Sequence, residues 1–245
     1  MTLRDRMLAR HKPPAAGARS WYEIRNEGDK AVVRIYDEIS WWGISADQFA
    51  RELALVTASE IEVQINSPGG DVFDGLAIYN ALRTHTAHIT TRVDGLAASV
   101  ASVIAQAGDT RLIVQSAQMM IHEAWGYAAG PAAELRDFAD LLERQTANIA
   151  AIYAERGTDD VDGFLERMAA ETWLSDVEAV ELGLADEVLV PERKDPANAG
   201  PGGRPVGQLD PPAPPADPDP CTFDGAGLLA RSKVREMFGS TALAD

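Results

Sequence analysis

Two side chains in this sequence, Ser99 and His122, have the types needed to activate a hydroxyl for attack on a carbonyl. A serine hydroxyl is a poor nucleophile at neutral pH and needs a neighbouring base. Ser99 sits in "GLAASVAS" (95–102), after the strand-like run "ITTRV" and the turn-like "DGLAA", where a small-residue helix begins. An exposed Oγ there would have the unpaired N–H of Val100 beside it, and both suit acyl transfer. The plainer use of serine at such a place is helix N-capping, which local context alone favours. Ser102, one helical turn on, reads as a small packing residue. The segment is not the G-x-S-x-G elbow of one large hydrolase class.

Four histidines are candidates for the base: His11, His85, His88 and His122. His11 lies in a basic leader, and His85 and His88 flank the polar junction "RTHTAH", where solvated histidines are the default. His122 ends the apolar run "QMMI", and strand ends beside loops are where parallel α/β folds place their sites. A lone histidine there is still more often structural. The carboxylate that would orient the imidazole is not selected by proximity, because the chain has 38 acidic residues. Glu171 is attractive because it closes a helix beside aromatic Trp173, a position that predicts partial burial. "NSPGGD" (66–71) closes another strand; its glycines allow close backbone approach, so a free N–H there could meet developing negative charge. Taken alone, the motif reads equally as a Pro-Gly turn.

Regular elements must hold these residues. "AVVRIYD" (31–37), "EIEVQIN" (60–66), "HITTRVD", "RLIVQ", "AQMMIH" and a run near 186–190 read as strands. "SADQFARELALV", with Ser45 as N-cap, "DVFDGLAIYNALRTH" and "SVASVIAQAG" read as helices, as do 131–156, 161–170 and 175–182. Strand–helix alternation predicts an α/β fold with a largely parallel sheet and right-handed crossovers.

The chain has 245 residues, enough for one full-sized domain with appendages. Ten of its 14 prolines fall between 191 and 220, which reads as an extended linker. The expected organisation is a leader over 1–29, a domain over 30–190, a proline-rich linker over 191–222 and a short helical tail over 223–245. Net charge is −16, which disfavours nucleic acid and anionic membranes as partners. No run of about 18 apolar residues is present to span a membrane. The leader has no apolar signal core, and the single cysteine, Cys221, forms no internal disulfide, so a cytoplasmic location is expected. One cysteine and four scattered histidines give no metal-ligand cluster.

In order, "INSPGGDV", "GLAASVAS", "MMIHEA" and "ETWLSDVEAVELGLADEV" resemble the Clp protease proteolytic subunits, the ClpP-type serine peptidases. The likeness spans 60–190 and, more loosely, 30–60. It implies the ClpP/crotonase-like fold, with Ser99 as nucleophile, His122 as general base and Glu171 as the acid, in a slot usually held by aspartate. It further implies that Gly70 and Val100 supply oxyanion-hole N–H groups and that Gly69, Gly70, Asp71 and Val72 pair with an extended peptide. Residues 123–135 would begin the handle through which the family's rings associate. No cofactor or metal is implied. "ISWWGISADQF" and "INSPGGDVFDG" are similar to the phage branch, the head maturation proteases, which implies capsid or scaffold proteins as substrates, inside an assembling prohead. The N-terminal region does not show the gate and docking segment of housekeeping subunits, so coupling to an ATPase unfoldase is not expected. Two other readings stay open: a non-catalytic shell or scaffold component with a ClpP-like body, and a crotonase-like acyl-CoA enzyme.

Overall fold

The computed structural model describes residues 20–39 and 45–191. The leader up to residue 19, part of "ISWWGISADQF", the proline-rich stretch beyond 191 and the tail helix lie outside the described residues. Among those described, eight strands join in one sheet, in the order β1-β2-β3-β4-β5-β8, with β6 paired to β4 and β7 to β6. The strands are β1 (Tyr22–Glu27), β2 (Lys30–Ile35), β3 (Glu60–Ser67), β4 (His88–Ala98), β5 (Thr110–Val114), β6 (Gln118–Ile121), β7 (Thr172–Ser175) and β8 (Glu187–Leu189). The helices are α1 (Ala46–Leu53), α2 (Val72–Arg83), α3 (Val100–Ala105), α4 (Ala132–Arg156), α5 (Val161–Ala169) and α6 (Asp176–Glu181).

Among the described residues, pairing is parallel from β2 through β3, β4, β5 and β8 and between β4 and β6, and antiparallel only at β1–β2 and β6–β7. The α/β expectation, largely parallel, is therefore met. Alternation explains the sheet: Val33, Ile35, Ile61, Val63, Ile65, Ile89, Val93 and Ile113 point into a buried core on one face. The opposite face of the same strands carries Glu62, Arg92 and Asp94, with Arg92 bonded to both carboxylates. Ser45 caps α1 through a side-chain bond to the Gln48 N–H, as its position predicts.

Two strands escape the sequence reading. β1 lies in the stretch assigned to the leader and forms a hairpin with β2. β7 is only four residues long and pairs with β6 rather than extending the main ladder.

A third difference bears on the site. "DGLAA" is not a turn: β4 runs on to Ala98. Its pairing with β3 is interrupted by a bulge, where Asp94, Gly95 and Leu96 stand opposite Asn66 alone. The Asn66 side-chain oxygen fills the gap by accepting the Leu96 N–H at 3.1 Å. Before the bulge β4 pairs with β5; after it, Leu96, Ala97 and Ala98 pair with Gln118, Met119 and Met120 of β6.

All six residues of α3 are buried, and α2 packs across it at Gly75. A Cβ built on Gly75 would lie 2.1 Å from Val100 Cγ2. A Gly75→Ala variant should therefore lose stability in chemical denaturation. Overpacking of about 1–3 kcal/mol is expected to outweigh the about 0.8–1.0 kcal/mol that alanine gains in a helix interior. A more stable variant would contradict this packing.

Candidate active site

The separation of Ser99 and His122 follows from sheet register. Beyond the bulge, β4 and β6 run parallel with a constant offset, Ala98 level with Met120. The ladder continues one step further as the Ser99 N–H donates to the Met120 carbonyl at 2.9 Å. Both chains leave the sheet at this level, so Ser99 at the end of one and His122 at the end of the other emerge side by side. His122 Nε2 and Ser99 Oγ are 2.7 Å apart, within hydrogen-bond reach.

Ser99 occupies the N-cap position of α3, but its side chain makes no capping bond. Its hydroxyl turns to the imidazole instead, so the N-cap role favoured by local context is not the one it plays. The backbone is strained, with φ 55° and ψ −133°, a region that costs a non-glycine residue about 1–3 kcal/mol. Ser102 also differs from expectation: its Oγ donates to the Ser99 carbonyl at 2.5 Å. Serine at helical spacing can return a hydroxyl to a carbonyl three residues back, and that was the available signal.

The glycines of "NSPGGD" are required by crowding. Gly69 has φ 96°, and a Cβ there would lie 2.6 Å from Ser99 Cβ. Gly70 has φ 146°, and its Cβ would lie 1.9 Å from the Ile39 carbonyl oxygen. The Ile39 N–H donates to the Gly69 carbonyl at 2.7 Å, and the Asp71 N–H to the Ile39 carbonyl at 2.8 Å. Because those groups face Ile39, strand alternation turns the Gly70 N–H to the other side. Ser67 Oγ accepts the Gly69 N–H and donates to the Asp37 carbonyl, which ties the turn down. Asp71 is the N-cap of α2 and Val72 its first residue, so the extended stretch ends there. The Val100 N–H, first in α3, has no acceptor within the helix.

His122 is half-buried. Burial holds its pKa below the usual imidazole range, while the Glu171 charge and the backbone of Glu123 pull it upward, Glu171 the more strongly. Glu171 is thus near enough to act on the ring electrostatically. Contrary to the partial burial expected beside Trp173, Glu171 is exposed, because the indole is itself half in solvent. Its carboxylate accepts a 3.4 Å bond from the Trp173 indole N–H, and no bond to the imidazole is among the described contacts. Glu171 follows α5 with φ 50° and leads into β7, whose antiparallel pairing with β6 sets Thr172 opposite Ile121. That strand, too short to read from sequence, is what brings Glu171 alongside His122.

The fold and site define a class: a strand–helix α/β chain with a serine–histidine pair where two parallel strands end together. The chain belongs to the Clp protease family, whose model matches residues 17–192. An ATP-dependent Clp protease proteolytic subunit of Bacteroides thetaiotaomicron is 32% identical to it over 133 residues. That match takes in 54% of this chain and 60% of the relative's length.

The imidazole should titrate below the usual ~6.5 when followed by two-dimensional NMR. Replacing Glu171 by Gln removes a charge that favours the protonated ring, so the value should fall further. A rise in that variant would contradict the placement of Glu171.

Proposed function

We propose that the chain is a serine endopeptidase in which Ser99 attacks a peptide carbonyl. The observation that carries this reading is the 2.7 Å contact between Ser99 Oγ and His122 Nε2. His122 takes the hydroxyl proton as the new C–O bond forms, then delivers it to the leaving amine. Water attacks the acyl-enzyme by the same route and frees the acid product. A base must be neutral to accept a proton, and burial favours the neutral form of His122 by holding its pKa below the usual imidazole range. The N–H groups of Gly70 and Val100 hold the tetrahedral oxyanion. Glu171 steadies the imidazolium through its charge, at the longer range of a solvated carboxylate. The Gly69–Asp71 edge takes the substrate backbone as an added strand, with Val72 at its limit. No cofactor or metal enters this chemistry.

Capsid or scaffold proteins of an assembling phage head are the proposed substrates. The supporting feature is the likeness of "INSPGGDVFDG" to the head maturation branch. The proposed assembly is a cyclic ring of identical chains, associating through residues 123–135 and the start of α4. Trp125 and Tyr127 there are 65% and 84% exposed and lie edge to face, which suits a surface covered by another copy. The proposed setting is the host cytoplasm. Among the described residues no helix is long and apolar enough to cross a membrane.

A fluorophosphonate probe should label Ser99 in the full chain, and Ser99→Ala should abolish both labelling and cleavage while leaving the thermal unfolding midpoint nearly unchanged. Undiminished proteolysis by that variant would remove Ser99 from the mechanism. Absence of labelling in the intact protein would favour the scaffold reading instead.

A further inference from the structure

We propose that Ser102 and Tyr153 form a two-hydroxyl relay that fixes the peptide plane between Ser99 and Val100, making both positioning residues for the nucleophile and its oxyanion donor. The inference rests on the reading of Ser99 as nucleophile and adds residues to it. The Ser99 carbonyl accepts two bonds, from the Ser102 N–H at 3.0 Å and from Ser102 Oγ at 2.5 Å. Ser102 Oγ also lies 2.8 Å from the Tyr153 hydroxyl. Ser102 has one hydroxyl proton and spends it on the carbonyl, so the phenol must donate to Ser102. The chain of donation therefore runs from Tyr153 to Ser102 to the Ser99 carbonyl.

Its effect follows from amide geometry. The Ser99 carbonyl and the Val100 N–H belong to one planar, trans peptide unit, so fixing the oxygen fixes the direction of the N–H. Ser99 sits in a strained conformation, which persists only where surrounding contacts over-determine it. Ser102 and Tyr153 are 0% and 1% exposed, so no bulk water is at hand to replace either hydroxyl. Tyr153 is held in turn by α4, where Ile149 and Ala150 are also buried, and by its ring contact with Phe164 at 5.6 Å. Burial pushes the phenol above the ordinary tyrosine range, which favours its protonated, donating form.

A serine bonded to a carbonyl three residues back, and a buried tyrosine with one partner, are ordinary features of packed helices. What sets this pair apart is that the acceptor is the carbonyl of Ser99 itself. A merely structural role and a positioning role therefore separate in a double-variant experiment. The readouts are the rate of fluorophosphonate labelling at Ser99 and the midpoint of chemical denaturation. Ser102→Ala should slow labelling about tenfold through the bond-forming step rather than probe affinity, since it loosens the aim of one oxyanion donor. Tyr153→Phe should slow it less. Ser102→Ala combined with Tyr153→Phe leaves no buried hydroxyl unpaired, so its stability should recover relative to Ser102→Ala, while labelling stays as slow. Labelling that recovers together with stability, or wild-type rates in all three variants, would overturn the relay. If the intact protein itself is not labelled at Ser99, the nucleophile reading falls and the relay with it, a distinct result from slow variants of a reactive parent.

Discussion

The parallel register of β4 on β6 is the constraint from which the site follows. β4 serves two neighbours: its first part lies against β5 and its last three residues against β6. The bulge opposite Asn66 separates the two uses and lets the strand continue where a regular ladder with β3 would have ended. Once Leu96 is level with Gln118, the same offset brings Ser99 level with Ile121, next to His122. A slip of one residue would turn every side chain beyond the bulge to the other face of the sheet. The hydroxyl–imidazole contact is thus a consequence of backbone pairing, not of two flexible loops finding each other.

Holding Ser99 at a strand-to-helix corner has a conformational cost, which the surroundings offset. α3 is buried along its whole length, and Gly75, with no side chain of its own, lets α2 approach until it meets the Val100 methyl groups. On the other side Gly69 lies against Ser99 with no room for a side chain. The strained residue is therefore enclosed by backbone and by short side chains that have little freedom to move aside. Close packing of this kind transmits position better than long side chains would, because such contacts deform little.

The electrostatics are divided between a dry side and a wet side. His122 is half-buried, and loss of solvent is the largest influence holding its pKa below the usual imidazole range. Glu171 is exposed, bonded to an indole rather than to the ring, and acts on His122 through its charge. Its approach depends on β7, four residues that pair antiparallel with β6 and return the chain to His122.

Periodicity and end signals made most elements legible. Alternating apolar residues marked β2, β3, β5 and β6, and Ser45 marked the start of α1, because local sterics and capping act over a few residues. Ser99, His122, Gly70 and Glu171 were legible as types at strand and helix ends, and four ordered motifs made them a set. The sequence alone could not tell a capping serine from a bonded one, a turn at "DGLAA" from a bulged strand, or a packing role for Ser102 from its bond to Ser99. Nor could it find β1 and β7, whose short or polar runs have meaning only beside their partners. Tertiary structure decided these points because each depends on which distant strand lies alongside. Hydrogen-bond register across a sheet is a relation between segments, and no single segment carries it.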